Sequence, residues 1–445
     1  MSYADSFREM KPGIGLAHAL AEADRCLLCY DAPCSKGCPA ETDPGAFIRK
    51  LRLKNITGAI RTIKTNNILG GACGVLCPTA QLCEKECSAT GISRPIEIGR
   101  IQRFLVEYGW ETGFKVFEKP QPRSEQVAVV GSGPAGLSCA AELARDGFQV
   151  TVFEERPELG GVIRYGVPAY RFDKSFLQNE LRDLQDLGVQ FKTNARIGGI
   201  EGAKRLLAEG FRAVFLSPGL WSAVRLRPAG KELEGLYSSV EYLQAVREER
   251  FRELVGEIEG KTVAVVGGGS VAMDCVESSV KLGARDVYLV YRRSYAQMPA
   301  EEEERQEALS LGVHFLLLNQ PVEYLNGNGR IRGLKLVRTR LGAPDGSGRR
   351  RPERIEGSEW ELAAEVVVEA IGNKVDESVD WARGADGSAG LQVTDQGLIV
   401  ADPKTGATEI KGIYAGGDIV RGPALVVEAV QDGKLAARSI KQALS

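Results

Sequence analysis

The sequence predicts an α/β protein: an N-terminal α-helical segment dense in cysteine, followed by two doubly wound nucleotide-binding domains. Three observations predict it. Eight of the ten cysteines fall between Cys26 and Cys87. The stretch "VAVVGSGPAGLSCAAELARDGFQVTVFEE" reads strand, glycine turn, helix, strand, and "KTVAVVGGGSVAMDCVESSVKLGARDVYLVYRR" repeats that order further on.

At 445 residues the chain has room for about three domains. Hydrophobic residues at 43%, charged residues at 26% and a net charge of −2 suit a globular protein and give no footprint for nucleic acid or anionic membrane. Neither is expected as a partner. The N-terminus lacks a basic start followed by an apolar run, and no eighteen uncharged apolar residues follow one another, so a cytoplasmic protein is expected. In that reducing compartment clustered thiols are metal ligands or redox centres sooner than disulfides.

From Leu16 to about Val116 the text reads as short helices broken by cysteine loops, with Phe47, Ile48, Leu51, Ile56, Ile60 and Ile63 approximating one helical face. The prolines of "EKPQPRS" then mark a linker. After the two β-turn-α-β units, "NGNGRIRGLKLVRTRLGAPDGSGRRRPERIEG" reads as strands joined by a polar hairpin, with "RRRPER" a solvated loop tip. Glu301 to Glu304 open a solvated helix, and "GIYAGGDIV" is an apolar strand ending at Asp418.

Cys26, Cys29, Cys34 and Cys38 are spaced x2, x4, x3, with Pro39 after the last; Cys73, Cys77, Cys83 and Cys87 are spaced x3, x5, x3, with Pro78 after the second. Such runs are typical of iron–sulfur proteins, in which the cysteine before proline often serves a neighbouring cluster, and two runs suggest two clusters. Structural zinc is the alternative, but it predicts two C-x-x-C knuckles where only one x2 spacing exists. Cys139 and Cys275, alone on the helices after the glycine turns, read as buried core thiols.

In the first turn Gly131, Gly133 and Gly136, with Pro134 and Ala135 between them, let the backbone approach a pyrophosphate at a helix N-terminus, and Glu154 is expected to accept from ribose hydroxyls. The second turn, Gly267, Gly269, Ser270, Val271 and Ala272, ends differently. Tyr291, Arg292 and Arg293 stand where an NAD site usually has an acid. Arginine can pair with a 2′-phosphate, and a ring or guanidinium can stack on adenine, so NADP(H) is favoured over NAD(H). Two solvated surface arginines are the alternative.

The stretches "RCLLCYDAPCSKGCPAETDPGAFIRKL", "NNILGGACGVLCPTAQLCEKEC", "PIEIGRIQRF", "VGSGPAGLSCA", "GGVIRYGVPAYR", "VGGGSVAMDC" and "IYAGGDIVRGPALVVEAVQDGK" together resemble the flavin and iron–sulfur half of dihydropyrimidine dehydrogenase, a separate subunit in bacteria. More distantly the chain resembles the glutamate synthase small subunit and the large subunit of NADH-dependent ferredoxin:NADP oxidoreductase. The resemblance covers nearly the whole chain. It implies a helical domain with two [4Fe–4S] clusters over residues 1–118 and an FAD domain over 121–220 and 374–445, interrupted by an NAD(P)H domain at 221–373.

By this resemblance Cys26, Cys29, Cys34 and Cys87 hold one cluster. Cys38, Cys77, Cys83 and the amide oxygen of Gln102 hold the other, leaving Cys73 unused. Glutamate synthase relatives carry glutamate at the place of Gln102, which leans the chain toward the pyrimidine branch. FAD is implied at the first glycine turn and Glu154, with Gly161, Arg171, Asp418 and Val426 completing its site. The implied activity is electron input: hydride passes from NAD(P)H to FAD, single electrons pass through the clusters to a partner, and no acid–base catalytic residue is needed.

The partner implied is an FMN-containing subunit that reduces uracil or thymine, in a hetero-oligomer such as a heterotetramer. A glutamate synthase large subunit or a ferredoxin is the second reading. A zinc-bearing scaffold that only binds NADP(H) is an alternative of another class.

Overall fold

The computed structural model describes residues 7–226, 233–248, 251–346, 348–384, 387 and 389–445. They form two compact units. One is built from Glu9–Arg164, Arg171–Leu220 and Val375–Ser445; the other from Trp221–Lys374 with Tyr165–Tyr170 and a short N-terminal stretch.

The larger unit begins with helices. The single apolar face expected across residues 43–67 is two helices, Pro44–Arg52 and Ile56–Asn66, each started by its own cap. Asp43 accepts from the Ala46 N–H at 3.0 Å and Asn55 from the Gly58 N–H at 2.9 Å, which satisfies donors a helix start leaves bare. Between them Lys54 adopts φ 60°, a left-handed conformation that stops a helix. Phe47, Ile48 and Leu51 of the first and Ile60 and Ile63 of the second still share one core, with Ile101, Leu105 and Val106 of the helix Ile98–Glu111.

Beyond the linker lies a parallel five-stranded sheet in the order Ile413–Ala415, Ala213–Leu216, Gln126–Val130, Gln149–Phe153, Gln190–Lys192. Its central strands are apolar without alternation because parallel strands are covered on both faces. The apolar strand expected to end at Asp418 stops at Ala415, and Asp418 instead starts a one-turn helix, Asp418–Arg421. The helix Val426–Leu444 packs tightly on Pro134–Arg145: a Cβ at Gly433 would fall 2.2 Å from the Ala135 carbonyl oxygen.

The smaller unit holds a second parallel sheet, ordered Leu236–Ser238, Val366–Glu369, Thr262–Val266, Asp286–Tyr291, His314–Leu317. An antiparallel sheet adds Asn319–Gly327, Arg330–Pro344, Arg350–Arg354 and Trp360–Ala363. The basic run expected as a loop tip is thus largely a strand: Thr339 pairs with Arg354 and Leu341 with Pro352, and Arg340 meets Glu353 at 3.1 Å. The Asp345 N–H donates to the Arg349 carbonyl at 2.7 Å, just before that strand. Glu302–Ser310 is the acidic-start helix, with Glu301 before it. Among the described residues no helix is long and apolar enough to cross a membrane.

Candidate functional site

The first glycine turn is shaped by close approach. Gly131 has φ 95°, and a Cβ there would meet the Ser217 carbonyl oxygen at 2.4 Å; one at Gly136 would lie 2.0 Å from the Gly131 carbonyl oxygen. Gly133, extended at the start of the helix Pro134–Arg145, faces open space, so its N–H and those of Ala135 and Gly136 lie at a helix start accessible to an anion. Gly161, at φ 54°, crosses the turn so closely that its Cβ would stand 2.7 Å from Gly133 Cα. Glu154 is buried, and its carboxylate accepts from the Ser132 N–H at 2.9 Å, the Ser132 hydroxyl at 2.5 Å and the Arg156 N–H at 2.9 Å. The side chain expected to face ribose therefore also buttresses the turn.

On the returning segment, burial pushes the Asp418 carboxyl up to about 6, against the lowering effect of the Ala424 N–H and Arg421. Arg421 is itself held by Asp432 at 2.8 Å, and Asp432 also accepts from the Gly417 N–H at 2.8 Å. Gly417 approaches Ala135, where its Cβ would be 3.0 Å away, so this segment meets the first turn. Val426 begins the last helix, where Glu428 accepts from the Leu425 N–H at 2.9 Å. Arg171 is half-buried at the point where the chain re-enters this unit.

The second turn repeats the packing. A Cβ at Gly267 would lie 2.3 Å from the Ala370 carbonyl oxygen and one at Gly268 2.5 Å from the Tyr291 ring. Gly269 starts the helix Ser270–Lys281, on which Val271 is exposed and Ala272 buried. The strand-end residues depart from expectation. Tyr291 is buried against Gly268, its hydroxyl donating to the Gln297 carbonyl at 2.7 Å, and its ring is covered rather than open to adenine. Arg293 is buried too, bonded to Asp345 at 2.8 Å and to the Arg350 carbonyl at 2.8 Å, so its guanidinium fastens the basic hairpin. Arg292 is exposed and has no acid partner among the described residues; burial of its inner part and the nearby charges of Arg293 and Arg349 hold its pKa below the usual range.

The cysteines gather in two groups. Cys26, Cys29, Cys34 and Cys87 line one cavity whose other walls include Leu28, Ile48, Ala89, Ile96 and Ile98. Burial, and the Cys87 and Cys26 thiols beside it, push Cys34 up to about 11; burial raises Cys26 likewise. Cys38, Cys77 and Cys83 form the second group, with Cys73 against them. The Cys77 thiol is raised by its hydrogen bond with Cys73, by burial and by the nearness of Cys73, Cys38 and Cys83. Burial raises Cys83 as well. Cys139 and Cys275 are buried in helices, as expected.

Thiols crowded in an apolar setting resist ionisation, and a bound metal supplies the charge that overcomes this. A lone zinc ion would draw its sulfurs to about 3.8 Å of one another, given tetrahedral Zn–S bonds of about 2.3 Å. Among the described residues no three cysteine sulfurs lie within 4.8 Å of one another. Thiols gathered round a cavity suit a multi-iron cluster.

Gln102 is buried on the helix Ile98–Glu111, which packs directly on Gly70–Leu76, the helix that carries Cys73 and leads to Cys77. Its Nε2 donates to the Gly70 carbonyl at 2.5 Å, while Oε1 accepts no hydrogen bond among the described residues.

One residue escaped the sequence reading. Glu180, in the helix Lys174–Asp186, is fully buried, and its Oε1 accepts from the Gly71 N–H at 2.9 Å and the Ala72 N–H at 3.1 Å. Lys64 lies 3.9 Å away, drawn instead to Asp183 at 2.8 Å and to the Ile68 carbonyl at 3.1 Å. Glu180 Oε2 has no hydrogen-bond partner among the described residues, and burial pushes the carboxyl up to about 7. The available signal was a charge inside the apolar stripe of Phe176, Leu177 and Leu184.

Residues 125–433 match the family described as pyridine nucleotide-disulphide oxidoreductase, and residues 3–114 match dihydropyrimidine dehydrogenase domain II, 4Fe-4S cluster. The chain belongs to the pyridine nucleotide-disulphide oxidoreductase family. This family member is a flavin- and nicotinamide-dependent oxidoreductase chain with an N-terminal 4Fe–4S domain.

It is 37% identical over 437 residues to the NADP(+)-dependent formate dehydrogenase subunit beta of Moorella thermoacetica, covering 93% of this chain and 60% of that longer protein. It is 35% identical over 433 residues to the NAD-dependent dihydropyrimidine dehydrogenase subunit PreT of Salmonella typhimurium, covering 97% and 96%. The glutamate synthase [NADPH] small chain of Escherichia coli is 34% identical over 449 residues, covering 98% and 93%. Among solved structures, FprA of Mycobacterium tuberculosis in complex with NADPH has a TM-score of 0.57 at 21% identity, over 72% of this chain and 85% of that one, a likeness of fold.

Proposed function

We propose that this chain is the electron-input subunit of a cytoplasmic hetero-oligomer, taking electrons from NADPH and delivering them to an FMN-containing partner that reduces uracil or thymine. Residues 1–118 would carry two [4Fe–4S] clusters, 121–220 with 374–445 would bind FAD, and 221–373 the nicotinamide nucleotide. The observation that carries the electron-input reading is that the first glycine turn and both thiol groups belong to one compact unit, continuous through hydrogen bonds such as Glu180 to Gly71.

FAD, when bound, converts the electron pair of a hydride into single electrons that clusters can carry. The chain's own residues do the rest by position. Gly131, Gly133, Pro134, Ala135, Gly136 and Gly161 would cradle the pyrophosphate, Glu154 the ribose, and Arg171, Asp418 and Val426 the flavin end. Cys26, Cys29, Cys34 and Cys87 would hold one cluster; Cys38, Cys77, Cys83 and Gln102 Oε1 the other. Gly267, Gly269, Ser270 and Val271 would receive the nicotinamide nucleotide, with Arg292 on its 2′-phosphate and Arg293 holding the hairpin beside it.

Gln102 supports the pyrimidine partner over a glutamate synthase partner. The test is anaerobic isolation of the native complex, identification of what co-purifies, and assay of uracil reduction with NADPH and with NADH. An FMN-bearing subunit that reduces uracil is the expected result. A glutamine-hydrolysing subunit, a bare ferredoxin or a formate-oxidising subunit would overturn the pyrimidine reading.

A further inference from the structure

We propose that Glu180 is a positioning residue for the second thiol group, acting on Gln102 through the Gly70–Gly71 peptide and so setting how strongly that amide donates to iron. The inference rests on the reading that Gln102 Oε1 is a ligand, and deepens it.

The contacts form one line. Glu180 Oε1 accepts from the Gly71 N–H at 2.9 Å; that N–H belongs to the same peptide unit as the Gly70 carbonyl; and that carbonyl accepts from Gln102 Nε2 at 2.5 Å. A peptide is conjugated, so a negative acceptor on its N–H drives electron density onto its oxygen. Bonds chained this way strengthen one another, by roughly 10–30% each. The side-chain amide of Gln102 is conjugated in the same sense, and a stronger pull on its N–H leaves Oε1 more electron-rich. A carboxylate is thereby connected through two amides to the neutral ligand, the one that supplies no charge of its own.

The surroundings are arranged for this approach. A Cβ at Gly71 would collide with Phe176 at 2.4 Å and with Glu180 Oε1 at 2.9 Å, and one at Gly70 would meet Ile63 at 2.4 Å, so both glycines are needed for contact. A helix cap alone explains little of it. Polar surface residues cap helices at small cost, whereas burying a carboxylate costs several kcal/mol. Here, among the described residues, Oε2 is left without a hydrogen bond, and Lys64, 3.9 Å from Oε1, is drawn closer to Asp183.

The test is an EPR-monitored redox titration of the cluster-loaded full chain at about pH 8.5, above the region where the buried carboxyl protonates, comparing wild type with E180Q, E180D and Q102A. E180Q keeps an oxygen on the Gly71 and Ala72 N–H groups and removes only charge. Its second-cluster potential should move positive with an altered EPR signature, while the first cluster stays put and E180D restores the wild-type values. Loss of second-cluster iron in E180Q but not in E180D would equally support a requirement for charge. A potential unchanged in E180Q but changed in Q102A overturns the relay and leaves the ligand reading standing. Clusters indifferent to Q102A overturn both, and loss of iron in E180Q and E180D alike reduces Glu180 to a structural cap.

Discussion

Cys73 is where spacing and resemblance divide. It lies against Cys77, accepts a hydrogen bond from Asn67 Nδ2 at 3.2 Å, and is almost fully buried. A sulfur with hydrogen-bond partners of its own has no need of iron, so C73S should leave bound iron unchanged, whereas C77S should lose one cluster; iron analysis with EPR separates them. Asp418 gives a pH-dependent expectation. Its folded pKa of about 6 lies above the ordinary carboxyl value, so the folded protein holds a proton that the unfolded chain releases. Its contribution to stability is full below the unfolded value and is lost as pH rises to about 6, at a cost of about 1–3 kcal/mol. D418N should therefore raise the melting temperature of flavin-free protein more at about pH 7.5 than at about pH 5, while weakening flavin retention. The density of cysteines was legible from the two runs, but the exchange of Cys38 and Cys87 between them came from the resemblance, because ligands that meet from distant parts of the chain leave no mark in local spacing. Glu180 was not legible, since a lone glutamate in "KSFLQNELRDLQD" looks like any helix-surface charge until its face is known.

At the scale of elements, the end of the strand Asp286–Tyr291 and the basic hairpin act together, because Arg293 bonds Asp345 and the Arg350 carbonyl. R293A should lower thermal stability by about 1–3 kcal/mol, the cost of leaving a part-buried partner unpaired, with little change in the ratio of NADPH to NADH efficiency. R292A should instead cut kcat/KM for NADPH about 10–100-fold, as expected for one charged hydrogen-bonding contact of roughly 1.4–3 kcal/mol, and spare NADH. The helix pair at Gly433 offers a packing test. G433A places a Cβ 2.2 Å from the Ala135 oxygen and 2.8 Å from the Cys139 nitrogen, and should destabilise by about 1–3 kcal/mol or more. Flavin should leave at a lower temperature while iron stays bound. Both β-turn-α-β units were readable because glycine, strand and helix signals agreed. The break at Lys54 was not, because Asn55 caps only when the preceding chain turns left-handed, and the apolar positions on either side run on as if nothing intervened.

Across the whole molecule, the parallel sheet that bears the first glycine turn is completed by Ile413–Ala415, a strand remote in sequence from its partner Ala213–Leu216. The last helix then secures the loop after Cys38, with Lys434 donating to the Ala40 carbonyl and Arg438 paired with Glu41 at 2.6 Å. No local pattern in the sequence announces such returns, and the resemblance alone implied the interruption. During synthesis, therefore, the strand Ala213–Leu216 emerges with an open edge and keeps it until Ile413 leaves the ribosome, while Trp221–Lys374 is already free to fold. Open edges pair readily with other chains. Nascent protein is thus most exposed to aggregation in that interval, and a ribosome stalled short of Ile413 releases cysteine loops that could collect iron in a chain whose flavin sheet was never closed.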